Sequence, residues 1–74
     1  MIRAIIVDDE PLMVRKFVRL AKNISDLDVV GHFTDAESAI AFSRDNEIEA
    51  AFLDVEMPDM DGFELAHRLK EIRS

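Results

Sequence analysis

Two groups of carboxylates follow two apolar runs of the chain. Residues 2–7 form a largely apolar run that ends in the acidic triplet 8–10, and the apolar residues 50–53 end in Asp54. Apolar runs of this length, bounded by loop residues, are typical of buried strands. If the two strands lie side by side and parallel, their carboxyl ends place the acids in one crevice. Converging carboxylates repel one another unless a hard cation joins them, and oxygen-only ligands suit Mg²⁺.

The elements that would position these acids alternate along the chain. Strands are predicted at residues 3–7, 27–33 and 49–53 from their apolar and β-branched content. The first helix should begin with Pro11 and run to about residue 23. Thr34 and Glu37 have the spacing of a capping box for a second helix that ends near residue 43. Asp61 can cap a third helix.

Each predicted helix carries apolar side chains at helical spacing, which indicates one buried face. The expected buried positions are Val14, Phe17, Val18, Ala21 and Ile24 in the first helix, Ala36, Ala39 and Ile40 in the second, and Phe63, Leu65, Ala66, Leu69 and Ile72 in the third. Met57 and Met60 flank the loop before the third helix and should pack it down.

Two motifs together resemble the receiver domain of two-component response regulators. They are Asp8-Asp9-Glu10-Pro11 after the first strand and the run DVEMPDMDG at residues 54–62. The resemblance extends in order and spacing to about residue 73. It implies an α/β flavodoxin-like fold, a doubly wound parallel sheet with strand order 2-1-3, truncated here to three β–α units. The first helix should cover one face of the sheet, and the second and third the other.

The resemblance also assigns roles at the site. It implies that Asp54 is the phosphoacceptor, and that Asp9 and Asp54 ligate Mg²⁺ or Mn²⁺ directly. The backbone carbonyl of Glu56 would be a further ligand, and Asp8 would act through a bound water. The blander alternative is that Asp8 and Asp9 only cap a helix and that Asp54 is an acidic strand end.

The implied function is that of the N-terminal part of a receiver domain in phosphorelay signal transduction. A sensor histidine kinase would be the partner that supplies the phosphoryl group, and the segment itself would not be an enzyme. Receivers have five strand–helix pairs, so we expect residues 1–74 to form a partial domain. The family contacts the phosphoryl group with a hydroxyl residue after the fourth strand and a lysine after the fifth, so phosphorylation of these 74 residues alone should be slow or undetectable.

Two other functions compete with phosphoryl acceptance. The first is a phosphorylation-incompetent half-receiver that acts as a self-associating interaction module. Its third strand would be a sheet edge with no proline or lysine to protect it, which favours a homo-oligomer. The second is a phosphatase with an aspartyl nucleophile, which the sequence disfavours because no acid-x-acid motif with a following hydroxyl residue ends the first strand.

The amino-acid composition excludes or disfavours several other classes of protein. The 74 residues are 49% hydrophobic and carry a net charge of −7, so the chain is not a disordered tail and is poorly suited to bind nucleic acid directly. No cysteine is present, and no apolar stretch is long enough to span a membrane. A cytoplasmic protein is the resulting expectation. His32 and His67 lie on different predicted elements, so we expect them to be solvated surface residues.

Overall fold

The computed structural model describes residues 1–54 and 56–72, in which strands and helices alternate. The strands are β1 (Ile2–Val7), β2 (Leu27–Phe33) and β3 (Ala50–Leu53), and the helices are α1 (Pro11–Ala21), α2 (Ala36–Asp45) and α3 (Gly62–Ile72). Val55, in the predicted acidic loop, and residues 73–74 lie outside the described part of the chain. All six predicted elements are present.

The three strands form one parallel sheet in the order β2-β1-β3, which confirms the predicted flavodoxin-like arrangement. Central β1 pairs with β2 from Ile2 to Val7 and with β3 from Ala4 to Val7. The residues from Ala4 to Val7 are at most 2% exposed. The carboxyl end of β1 therefore lies between the carboxyl ends of its two neighbours, in the middle of one sheet edge.

The helices divide between the two faces of the sheet as predicted. Ile5 and Val7 belong to the main core cluster, which they share with buried residues of α2 and α3. Ile6 points to the opposite face, where it lies beside Phe17 and Ala21 of α1. This alternation follows from the two-residue period of a strand. None of the helices in the described residues is long and apolar enough to cross a membrane.

The apolar stripe of α1 is only partly buried. Val14 and Ala21 are buried, whereas Phe17 is exposed and Ile24 is 53% exposed. The helix ends at Ala21, so Ile24 belongs to the following turn, where its N–H donates to the Ala21 carbonyl at 3.0 Å. The predicted burial of Phe17 and Ile24 is wrong because α1 packs over β1 and β2 but makes no substantial contact with β3.

The predicted capping box before α2 is also wrong. Asp35, not Thr34, is the N-cap residue, and its carboxylate accepts hydrogen bonds from the Ser38 N–H and hydroxyl, both at 2.8 Å. The helix thus begins one residue later than the box requires, and Thr34 is exposed. Aspartate is a more favourable N-cap residue than threonine, and the second oxygen of Asp35 also accepts from the Ser38 hydroxyl.

The predicted cap of α3 is confirmed, because the Asp61 carboxylate accepts a hydrogen bond from the Glu64 N–H at 2.8 Å. Leu65 and Leu69 are buried, but Phe63 is 75% exposed, so its predicted burial is wrong. Positions 63 and 65 differ by about 200° around a helix with 3.6 residues per turn. The face that buries Leu65 therefore directs Phe63 outward.

Gly31 marks a close approach between β2 and α2. A Cβ atom at this position would lie 2.9 Å from the ring of Phe33 and 3.3 Å from that of Phe42. The two rings pack with their centroids 5.3 Å apart. The pairing of β1 with β2 also shifts register here, between Ala4 and Ile5. The missing side chain makes room for the aromatic pair.

Candidate functional site

Asp8 and Asp54 directly follow neighbouring strands, and backbone hydrogen bonds fix both. The Asp8 N–H donates to the Phe33 carbonyl of β2 at 3.1 Å. The Asp54 N–H donates to the Val7 carbonyl of β1 at 2.9 Å. Each of these bonds continues the hydrogen-bonding pattern of the parallel sheet by one residue beyond the end of the strand. The two acids therefore leave the sheet at the same edge, side by side.

The sheet edge brings three carboxylates together. Asp8, Asp9 and Asp54 are each half-buried, and each offers an oxygen atom that lies within 4.8 Å of those of the other two. A donor set made only of carboxylate oxygens fits a hard divalent cation such as Mg²⁺ or Mn²⁺. The predicted convergence of these acids is confirmed, while their role as metal ligands stays a prediction.

Two local hydrogen bonds orient the outer members of this acidic cluster. The Glu10 N–H donates to Asp8 Oδ1 at 3.0 Å, and the Glu56 N–H donates to Asp54 Oδ1 at 3.3 Å. Helix α1 starts at Pro11, and its N-cap residue Glu10 makes no side-chain capping bond. The Asp8 carboxylate thus binds an amide ahead of the helix, which does not support the alternative that it serves as a helix cap.

The crowding of these carboxyl groups opposes the simultaneous ionisation of all three. Partial burial raises the pKa of Asp9 above its ordinary value of 3.8, and a hydrogen bond with Asp54 and the charges of Asp54, Asp8 and Glu10 raise it further. Among residues 1–54 and 56–72, the close contacts between basic and acidic side chains, Arg68–Glu64 and His67–Glu71, lie on the exposed surface of α3 and involve none of the clustered acids. A bound cation would remove the repulsion.

The loop between β3 and α3 is held at several points. Met57 is buried in the main core cluster and Met60 packs against it, as predicted. The structure adds a bond that the sequence analysis missed, in which Asp59 Oδ2 accepts from the Ala36 N–H at 3.0 Å. The two residues are 23 positions apart. No short-range pattern could have indicated this pairing, because it depends on α2 and α3 lying on the same face.

An open hollow adjoins the acidic cluster on the α1 side of the sheet. It is lined by Ile6, Val7, Asp8, Met13, Phe17, Phe52, Leu53 and Asp54. Its walls are mostly apolar, and one end reaches two of the three clustered acids. The histidines lie elsewhere: His32 is exposed on β2, and His67 lies 3.9 Å from Glu71 on α3.

The fold and the acidic cluster agree with the outcome of comparison with known proteins. Residues 4–74 match the family described as the response regulator receiver domain, and the chain belongs to that family. The chain is 35% identical over 69 residues to the transcriptional regulatory protein YpdB of Escherichia coli K12, covering 93% of this chain and 28% of that protein. It is 33% identical to the protein MrkE of Klebsiella pneumoniae, covering 93% of this chain and 26% of that protein.

Solved receiver domains have the same architecture. The signal receiver domain of NarL from Mycobacterium tuberculosis superposes with a TM-score of 0.86 at 29% identity, over 97% of this chain and 58% of that one. The response regulator domain of CheB from Thermotoga maritima gives 0.85 at 25% identity, over 96% of this chain and 53% of that one. The 74 residues thus span little more than half of these domains and less than a third of the curated relatives.

Proposed function

We propose that Asp54 accepts a phosphoryl group from a sensor histidine kinase, with Mg²⁺ or Mn²⁺ bound at the acidic cluster. The observation that carries the proposal is the convergence of Asp8, Asp9 and Asp54 at adjacent strand ends of a receiver fold. Asp9 and Asp54 would bind the cation directly, Asp8 through a water molecule, and the Glu56 backbone carbonyl would be a further ligand. When bound, the cation neutralises the repulsion between the acids and the incoming phosphoryl group.

The chain's own residues prepare the nucleophile. Asp54 Oδ1 accepts the Glu56 N–H, and we assign the attack on phosphorus to the other carboxylate oxygen. The new bond joins that oxygen to phosphorus, while the bond from phosphorus to the donor breaks and its electron pair leaves with the donor. The product is an acyl phosphate on Asp54. The Glu56 side chain, which is exposed beside this position, would influence how fast water hydrolyses it.

Residues 1–74 would act as the first part of a receiver domain within a cytoplasmic response regulator. Some relatives join the receiver to an enzyme, such as a protein-glutamate methylesterase/protein-glutamine glutaminase of Geobacter sulfurreducens, of which the chain covers 19%. We assign no turnover to the present segment, because the proposed reaction modifies the chain itself, on Asp54. Direct contact with nucleic acid or a membrane is not part of the proposal.

Phosphorylation of Asp54 can be tested with acetyl phosphate and Mg²⁺. Intact-mass spectrometry is expected to detect slow, substoichiometric addition of one phosphoryl group, which EDTA or Asp54→Asn abolishes. Addition of Mg²⁺ with BeF₃⁻ should shift the NMR signals of the Asp9, Asp54 and Glu56 amides. Equal phosphoryl incorporation into wild type and Asp54→Asn, or the absence of those shifts, would contradict the proposal.

Self-association is a second candidate function, favoured by the surroundings of β3. In the described residues β3 pairs with β1 on one side, and no strand pairs with its other side. Phe52 of this strand is 49% exposed. A second hollow, on the α3 side, is lined by Ile48, Glu49, Ala50, Ala51, Leu53, Ala66, Leu69 and Lys70. An unpaired strand beside apolar surface on both faces favours pairing with another copy.

Substitution of Phe52 tests self-association. We expect the 74-residue polypeptide to form a dimer or higher oligomer, and Phe52→Lys to make it monomeric, because a charge at the β3 edge opposes pairing. Analytical ultracentrifugation over a concentration series measures the change. Phe63→Lys is a matched control, since it places the same charge at an exposed phenylalanine of α3, outside the sheet. A wild-type polypeptide that remains a folded, cooperatively melting monomer would contradict the expectation.

A further inference from the structure

Two aspartates fasten the β3–α3 loop to two different helices. Asp61 Oδ1 accepts from the Glu64 N–H at 2.8 Å, within the first turn of α3. Asp59 Oδ2 accepts from the Ala36 N–H at 3.0 Å and so reaches the start of α2. One short loop is therefore tied to the beginnings of both helices that cover this face of the sheet.

Helix α2 has its own cap and does not depend on Asp59 for one. The Asp35 carboxylate accepts two hydrogen bonds from Ser38, each of 2.8 Å. Asp59 adds a second carboxylate at the positive end of the α2 dipole. Its partner, Ala36, is fully buried, so water cannot readily replace the bond to this amide. The bond therefore constrains the loop that carries Asp59 more than it constrains the helix.

Along the chain, Glu56 lies between Asp54 of the acidic cluster and Asp59, which binds the Ala36 N–H. The Glu56 N–H donates to Asp54 Oδ1 at 3.3 Å, a long bond that restrains the backbone weakly. Beyond it, the Met57 side chain is buried in the core and Asp59 binds α2. The position of the Glu56 backbone thus depends on the anchors that follow it along the loop.

We infer that Asp59 is a positioning residue for the acidic site. By holding residues 56–61 against the N-terminus of α2, it places the Glu56 backbone beside Asp54, where the cation would bind. The inference rests on the proposed function and adds to it a residue that touches neither the cation nor the phosphoryl group. It predicts that loss of the Asp59–Ala36 bond weakens cation binding although all three clustered acids remain.

The affinity for Mn²⁺, measured by paramagnetic relaxation in the 74-residue chain, tests the inference. Asp59→Ala is expected to weaken binding by about tenfold or more, the usual effect of losing a residue that supports metal ligands. Asp59→Asn should restore most of the affinity, because its amide oxygen can still accept from the Ala36 N–H. Asp35→Ala is the matched control: it removes the other α2 cap, so it should lower the melting temperature without a comparable loss of affinity.

The possible outcomes separate the inference from the proposed function. If wild type binds Mn²⁺ and Asp59→Ala binds it equally well, or if Asp35→Ala weakens binding as much, the inference is overturned and the proposed function stands. If wild type binds no Mn²⁺, the proposed function fails and the inference falls with it. Should Asp59→Ala not fold, Asp59→Ser replaces it, because its shorter side chain also loses the bond to Ala36.

Discussion

Asp9→Asn is expected to stabilise the metal-free protein at neutral pH and to remove most of its affinity for Mg²⁺. The Asp9 carboxyl has a raised pKa because of partial burial, its hydrogen bond with Asp54 and the nearby negative charges. Ionised Asp9 is therefore unfavourable in the folded state, and an uncharged amide relieves that cost. The same substitution removes a proposed direct ligand, so Mg²⁺ affinity should fall by more than the ~10–100-fold typical of losing a supporting residue.

The stabilisation should depend on pH in a definite direction. Since the folded protein holds the Asp9 proton more tightly than the unfolded chain, this group favours folding below its unfolded pKa, near 3.8. That contribution is lost as the pH rises through the higher folded pKa. The difference in melting temperature between Asp9→Asn and wild type should thus grow as the pH rises from below 3.8 toward neutrality.

Thermal unfolding with and without Mg²⁺ measures both effects. Mg²⁺ should raise the melting temperature of wild type, because it binds the folded state alone, and should leave Asp9→Asn nearly unchanged. Glu10→Gln is a suitable control, since it removes a neighbouring charge without removing a proposed ligand. The expectation would be contradicted if Asp9→Asn melted at the same or a lower temperature than wild type in metal-free buffer at neutral pH.

Leu65→Ala is expected to destabilise the fold by about 2–5 kcal/mol. Leu65 is fully buried where α3 meets the main core cluster, so the substitution leaves a cavity among packed side chains. With 74 residues, a stability of roughly 0.05–0.15 kcal/mol per residue gives a total of only about 4–11 kcal/mol. The loss would consume a large part of that total and could leave the chain mostly unfolded.

Phe63→Ala provides the matched comparison for Leu65→Ala. Although it removes a larger side chain two positions away, Phe63 is 75% exposed, so the change should stay within about 0.5 kcal/mol. Urea unfolding followed by circular dichroism gives both free energies. Equal destabilisation by the two substitutions would mean that α3 packs with a different face than the structure describes.

The pair Leu65 and Phe63 illustrates what the sequence could and could not predict. Strand order and the convergence of the acids were predictable, because both follow from strand-length apolar runs that end in carboxylates and from the receiver motifs. The period of α3 was also visible, but two apolar residues on nearly opposite sides of one helix leave the choice of buried face open. That choice depends on where α2 and the sheet lie.

The hydrogen bonds at the start of α2 were not predicted correctly from the sequence either. The spacing of Thr34 and Glu37 predicted Thr34 as the cap of α2, whereas Asp35 caps the helix in the structure. The bond from Asp59 to Ala36 had no local signal at all. Sequence patterns describe neighbours along the chain, whereas this bond forms because the fold brings the β3–α3 loop to the start of α2.

The central position of β1 has a consequence for how the chain folds during synthesis. The first strand to be made is the one that requires both others, since Ala4 pairs with Val29 on one side and with Ala50 on the other. At about 5–20 residues per second, the ribosome needs roughly 2–9 s to add the 46 residues between Ala4 and Ala50. Ala4 to Val7, which are at most 2% exposed in the folded protein, must wait for that time without their second partner strand. Nascent β1 therefore exposes one unpaired edge until β3 has been made.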